Sequence, residues 1–241
     1  MGKVIKMEQK LIVDGKRLDG RALDQLRPIE ARAGVLKNAN GSAYFRIGKT
    51  IAVAGIFGPR EVHPKHMEEA ETAILRCKYN MASFSTTERN RPGPSRRSKE
   101  ISKVMREALM PVLFLENFPK SAIDLHVEIL QADASTRCAA INAASIALAD
   151  AGIPMRDLIA SCSVGIVEGH IVLDVAGKED TEGDVDLPIA YYPKRDLITL
   201  LQMDGMVTKE QLKQLLELAK KGAMKIYEIQ RQALKSKYME E

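Results

Sequence analysis

Residues 123–154 constrain the fold more than any other part of the chain. Ile123, Leu125, Val127 and Ile129 alternate with Asp124, His126 and Glu128, the period-two pattern of a strand with one buried and one solvent face. A short link over 131–136 leads to an alanine-rich helix over 137–150, which Gly152 and Pro154 stop. Small side chains along a helix serve close packing, so the pattern calls for a sheet with helices laid against it.

The flanking sequence repeats this grammar. Before it, 43–48 and 50–57 read as strands, 58–69 as a loop and 73–84 as another strand. A polar loop over 85–95 then enters a helix over about 96–115, in which Ile101, Val104, Met105, Ala108, Leu109 and Val112 recur at helical spacing. After it, 161–168 and 171–175 form a hairpin around Gly169-His170, and 184–192 and 196–202 read as two more strands. Thr208 with Gln211 is a capping-box pattern opening a long last helix, whose apolar stripe is Leu212, Leu215, Leu216, Ala219, Ala223 and Ile226. The expected architecture is α+β: two similar halves, about 16–120 and 121–241, within a single 1–241 unit, with antiparallel or mixed sheets and packed helices.

Composition narrows the class of protein. Apolar residues make up 45% of the 241 residues, enough for a large core and against a disordered chain. No apolar run approaches the length of a membrane span, and residues 1–14 lack the features of a signal peptide. Cys77, Cys138 and Cys162 are too widely spaced for a disulfide framework or a zinc site. These features read as a soluble, reduced, cytoplasmic protein. The net charge of +4 says less than where the charge sits.

Chemistry concentrates in three places. Arg89, Arg91, Arg96 and Arg97 precede or open a helix, and Lys99, Lys103 and Arg106 continue along one face of it. Cations there oppose the helix dipole, but with the backbone N–H groups they make a phosphate site. In the second place, Ser135 or Thr136 could cap the alanine-rich helix, and the same N-terminus with Arg137 would hold a small oxyanion. The third is acidic, with five carboxylates in the eight residues from Glu179 to Asp186. Their mutual repulsion favours a raised pKa or a shared divalent cation, suited to general acid or metal-assisted chemistry. If Asp184 and Asp186 share a strand, they face the same way. Each feature alone also fits a plain surface role: a solvated basic loop, an ordinary N-cap, an acidic hairpin. Together they supply what phosphoryl transfer to or from RNA requires. The histidines show no triad or metal spacing, and His126 reads as lying on the solvent face of its strand.

Several longer motifs carry a resemblance. Arg17-Leu-Asp-Gly-Arg21 with Leu26-Arg-Pro-Ile29 resembles the opening of the RNase PH family of phosphate-dependent exoribonucleases. Phe84-Ser-Thr-Thr-Glu-Arg89, Pro94-Ser-Arg-Arg97, Glu100-Ile-Ser-Lys-Val104, Glu128-Ile-Leu-Gln-Ala-Asp133, Ala149-Asp-Ala-Gly-Ile-Pro154 and Ala233-Leu-Lys-Ser-Lys-Tyr238 are similar to the archaeal branch. The resemblance runs from about 16 to 238.

It implies a fold of two pseudo-symmetric β-α-β-α units. It also implies a catalytic subunit that alternates with a homologous inactive one in a hexameric ring, a trimer of heterodimers, beneath RNA-binding cap subunits. In such a ring, inorganic phosphate attacks the 3′-terminal phosphodiester of single-stranded RNA, nucleoside diphosphates leave, and the reverse reaction adds RNA tails. By resemblance, Arg96 and Arg97 hold the RNA backbone, with Arg97 also near the attacking phosphate; Ser135, Thr136 and Arg137 bind that phosphate. The family often has Gly where this chain has Ser135. Asp186 matches the general acid and Asp180 its acidic neighbour, and the two are also the candidate ligands for Mg²⁺ or Mn²⁺. Arg60, His63 and Lys65 match a loop that grips RNA upstream. A stand-alone tRNA 3′-end trimmer, a non-catalytic RNA-binding ring subunit and a metal-dependent hydrolytic nuclease are the alternatives.

Overall fold

The structure, a computed structural model, describes residues 10–13 and 15–239. Most of the expectation about residues 1–14 therefore lies outside the described residues.

The alternating run is strand β7 (Ser121–Gln131), and it lies inside a five-stranded sheet rather than at its edge. The other strands are β3 (Ile29–Ala33), β4 (Gly41–Ile47), β5 (Thr50–Glu61) and β6 (Ile74–Met81), in the order β3-β4-β5-β7-β6. All pairings are antiparallel except β6 with β7. A parallel neighbour requires a crossover, and helix α1 (Arg96–Leu109) lies in it. A second, wholly antiparallel sheet has the order β11-β10-β8-β9, from β8 (Ala160–Val167), β9 (His170–Leu173), β10 (Val185–Tyr192) and β11 (Leu197–Leu201). The hairpin between β8 and β9 turns on Glu168 and Gly169, both at positive φ as tight hairpin turns require. Strands β1 (Ile12–Val13) and β2 (Lys16–Arg17) form a small separate hairpin.

Helix α2 (Thr136–Asp150) lies between the sheets, against β4 and β5 on one flank and β8 on the other. Every residue from Cys138 to Leu148 is buried, which explains the alanines: no face of this helix meets solvent. Gly41 of β4 is forced by this packing, since a methyl group there would sit 2.1 Å from Ala151 N. The long helix α4 (Lys209–Lys237), opened by the Thr208–Gln211 capping box, crosses β8 and β3. Gln230, fully buried, donates to Asn142 Oδ1 and Ile159 O, both at 3.0 Å, tying α4 to α2 and β8. One continuous apolar core spans both sheets.

Four expectations need correction. Helix α1 ends at Leu109 rather than near Leu115, because Pro111 lacks the N–H and the room to continue it; a 3-10 turn follows. Strand β5 runs past Gly58 and Pro59 to Glu61, with a register shift between Phe57 and Arg60 in what reads as loop. The outer face of β7 is only partly left to solvent: Glu128 is exposed, but Asp124 is 6% exposed and ion-paired to Arg60 and Arg76, and His126 is half-buried against Phe57. The acidic stretch holds a further helix, α3 (Lys178–Glu182), where the sequence shows no helical apolar spacing.

Candidate active site

Two helix starts and one strand start converge on a single cleft of about 370 Å³. Ser95 opens α1 with a reciprocal cap: its Oγ accepts from Ser98 N at 3.0 Å, and its N–H donates to Ser98 Oγ at 2.8 Å. That fixes the first turn, from which Arg97 lines the cleft. Arg96, one position earlier and so about 100° around the helix, is exposed and off the cleft lining.

The start of α2 is held differently from what the sequence implies. Ser135 occupies the N-cap position, but neither it nor Thr136 caps the helix through its oxygen. Ser135 Oγ instead donates to Val175 O and shares a hydrogen bond with Ser163 Oγ, both at 2.8 Å, while Thr136 Oγ1 accepts from the Tyr79 hydroxyl at 3.0 Å. Ala134 and Ser135 both have left-handed backbone, φ 61° and 53°. That conformation favours glycine, so Ser135 stands at a position whose backbone a glycine would adopt without strain. The first turn of α2 is thus left without a side-chain cap and opens on the cleft, the arrangement that binds oxyanions.

Arg137 adds a cation to this anion site. Its Nη2 reaches Glu100 Oε2 of α1 at 3.2 Å, and Gln202 Nε2 donates to Glu100 Oε1 at 2.9 Å. Arg137 Nε and Gln202 Oε1 are buried without a protein partner, polar atoms that a ligand in the cleft can satisfy. Glu100, Ser163, Gln202 and Asp204 had no local signal in the sequence. They come from three separate segments and meet only in the fold.

The acidic wall sorts its five carboxylates by role. Glu179 is buried on Arg17, and Asp184 turns away to accept from Gly169 N at 3.3 Å. Strand β10 begins at Val185, so Asp184 and Asp186 do not share a strand face. Only Asp180 and Asp186 reach the cleft, with Asp204 beside them. Burial, then the neighbouring charge of Asp180, pushes the Asp186 carboxyl up to about 6, against the pull of Arg137. Desolvation by the cleft walls also raises Asp180, although its side chain meets solvent at the mouth; Arg97, Arg27 and Arg137 oppose that rise.

The upstream basic residues lie elsewhere. Arg60 and His63 line a second cleft of about 650 Å³ with Arg76, Lys78, Asp124 and His126, and Lys65 stands exposed in a 3-10 turn beyond it. A cleft of about 580 Å³ lies above Arg27 and Glu179, both of them already ion-paired within the protein. Among the described residues no group of three or more His, Cys, Asp or Glu could hold a metal ion. Asp180 and Asp186 therefore fall short of a protein-built cation cage. Burial lifts the Cys77 and Cys138 thiols to about 12 and holds Cys162 well above the usual thiol range, so none is a ready nucleophile.

Comparison with known proteins gives a consistent family. The chain matches the model for the 3′ exoribonuclease family, domain 1, over residues 25–154 and domain 2 over residues 157–222. It is 57% identical to the exosome complex component Rrp41 of Pyrococcus furiosus over 238 residues, covering 98% of this chain and 95% of that protein. The Methanopyrus kandleri component of the same name is 56% identical over 231 residues, 96% of this chain and 97% of the relative. At 24% identity, rice Rrp46 superposes with a TM-score of 0.82 over 91% of this chain and all of that one, and an Archaeoglobus fulgidus exosome with RNA bound to the active site gives 0.78 over 89% and 92%. These two structures share the fold.

Proposed function

The chain belongs to the RNase PH family of 3′ exoribonucleases, and we propose that it is the catalytic subunit of an archaeal exosome, shortening single-stranded RNA from the 3′ end with inorganic phosphate as co-substrate. The observation that carries the reading is the meeting, in one cleft, of Arg97, the uncapped start of α2 with Arg137, and the raised carboxyl of Asp186.

Each residue then has a task. Thr136, Arg137 and the backbone at Ser135 hold inorganic phosphate, while Arg97 draws the scissile phosphate and the attacking one together. An oxygen of inorganic phosphate forms a bond to the terminal phosphorus as the bond from that phosphorus to the 3′ oxygen of the preceding nucleotide breaks. Asp186, whose raised pKa keeps a fraction of it protonated near neutral pH, gives its proton to that departing oxygen. A nucleoside diphosphate and an RNA one residue shorter result, and microscopic reversal adds nucleotides. Such a step needs positioning and charge neutralisation rather than a covalent nucleophile. Asp180 keeps the acid's pKa high. Any Mg²⁺ or Mn²⁺ held by Asp180 and Asp186 would depend on substrate phosphates for its other ligands. Arg96, Arg60, His63 and Lys65 grip the RNA backbone beyond the reacting bond.

The partners follow the same reading: a homologous inactive subunit alternating with this one in a hexameric ring, and RNA-binding caps. The place of work in this reading is the cytoplasm, and no described helix is long and apolar enough to cross a membrane. The test is digestion of end-labelled oligo(A) with and without inorganic phosphate, by the chain alone and mixed with its ring partner. ADP released only with phosphate supports the reading, and AMP released without it refutes it. Activity of the chain alone on tRNA 3′ ends would favour the stand-alone trimmer.

A further inference from the structure

We infer that Arg17 and Glu179 are a positioning pair, which aims Asp180 at the reacting phosphates without touching them. The inference rests on the reading just given. Helix α3 has only five residues, starts at Gly177 without a side-chain cap, and is too short to hold a shape by itself. Its two successive acids point opposite ways: Glu179 is 5% exposed in the core, and Asp180 lines the cleft. Whatever fixes Glu179 therefore fixes Asp180.

Arg17 does this with its whole fork. Its Nε donates to Glu179 Oε1 at 2.7 Å and its Nη2 to Glu179 Oε2, while Nη1 and Nη2 reach Leu173 O at 2.5 Å and Asp174 O at 2.6 Å. The guanidinium lashes α3 to the end of β9, and Glu179 Oε2 closes the turn between them by accepting from Ala176 N at 3.0 Å. Arg27 ties the opposite wall to the same post. It makes a two-pronged contact with Asp174 at 2.8 and 2.6 Å and donates to Asp133 O at 2.6 Å, two residues before Ser135. The segment 17–27 thus sets the span between the acid and the anion site. Stability alone does not call for such a device, since apolar packing commonly replaces a buried ion pair without loss.

The test uses Arg17→Lys, which keeps the charge and loses the fork, in the chain assembled with its ring partner. The expected result is a fall in kcat approaching about 100-fold, the scale of an ångström's misplacement, with RNA affinity within about twofold of wild type on the same scale of error. Asp180→Asn added to Arg17→Lys lowers kcat no further than the larger single effect, because both act through one carboxylate. Should Arg17→Lys fail to fold, Arg17→Met with Glu179→Leu replaces the pair by apolar side chains, and the same kcat loss is expected. Additive losses with Asp180→Asn, or a kcat loss that only tracks the folded fraction, would make the pair a plain strut. Wild-type protein that releases no diphosphate with phosphate present would overturn both this inference and the reading beneath it.

Discussion

Asp186 and Asp204 exchange both of their backbone hydrogen bonds, N–H of each to C=O of the other, at 3.0 and 2.9 Å. This bridge lies beyond the regular pairing of β10 with β11, and it pins Asp186 at the mouth of the second sheet with another carboxylate alongside. An acid held that way is costly to ionise.

Asp186→Asn is therefore expected to lower kcat by at least about 10²-fold, as loss of a positioned proton donor does, with RNA affinity nearly unchanged by filter binding. Equal loss of both would make the residue structural. Stability should move the other way. The folded-state pKa of about 6 lies above the ordinary 3.8, so between those values the folded state holds more proton than the unfolded one. The wild type loses stability as pH rises through that window, and the loss is complete above about 6. The Asn variant, free of this penalty, should be more stable at pH 8 by on the order of 2–3 kcal/mol and gain nothing below pH 3.8. Melting curves at the two pH values decide it.

Arg97→Ala should weaken apparent binding of phosphate or RNA by about 10- to 100-fold, the scale of a charge-assisted hydrogen bond. It should also flatten the salt dependence of RNA binding by about one counterion. Titrations at three salt concentrations are enough, and unchanged affinity for both ligands would remove Arg97 from the site.

Ser135 separates backbone from side chain. Ser135→Ala keeps a left-handed backbone and loses the hydrogen bonds to Ser163 and Val175, so it should cost about 1–3 kcal/mol and raise KM for phosphate. Ser135→Gly loses the same bonds but relieves the strain, and should stay closer to wild type in both. Equal rises in KM for the two variants would mean that the hydroxyl itself binds the anion.

Gly41→Ala tests the packing that seats α2. The added methyl would meet Ala151 N at 2.1 Å and Ala147 O at 2.5 Å, backbone atoms that cannot step aside. A loss of about 1–3 kcal/mol or more is expected, visible as a lower denaturation midpoint.

What the sequence made legible was local. Strand β7 and helix α2 were readable because alternation and alanine content report directly on burial. Strand β3 was missed because its inward positions are Ile29, Ala31 and Ala33, none of them fully buried, which makes a faint stripe. Helix α3 was missed because its sequence is wholly polar and its conformation depends on Arg17, 162 residues away in the chain. Arg97 could be told from Arg96 only once the phase of α1 was known. The bond from Glu100 to both Arg137 and Gln202 joins residues up to 102 positions apart, a distance no motif encodes.

The cleft draws its cations from one end of the chain and its acids from the other. A cut in the turn after α2 would leave Arg97 and Arg137 on the first fragment and Asp180 and Asp186 on the second. Neither piece could carry out the reaction, and α2 would have apolar surface bared where β8 had covered it. Mixed together, the two pieces have strong reason to find each other, and catalysis would return only with their reunion. The molecule is thus laid out as a complementation pair, in which RNA breakdown itself would report that two polypeptides had become one.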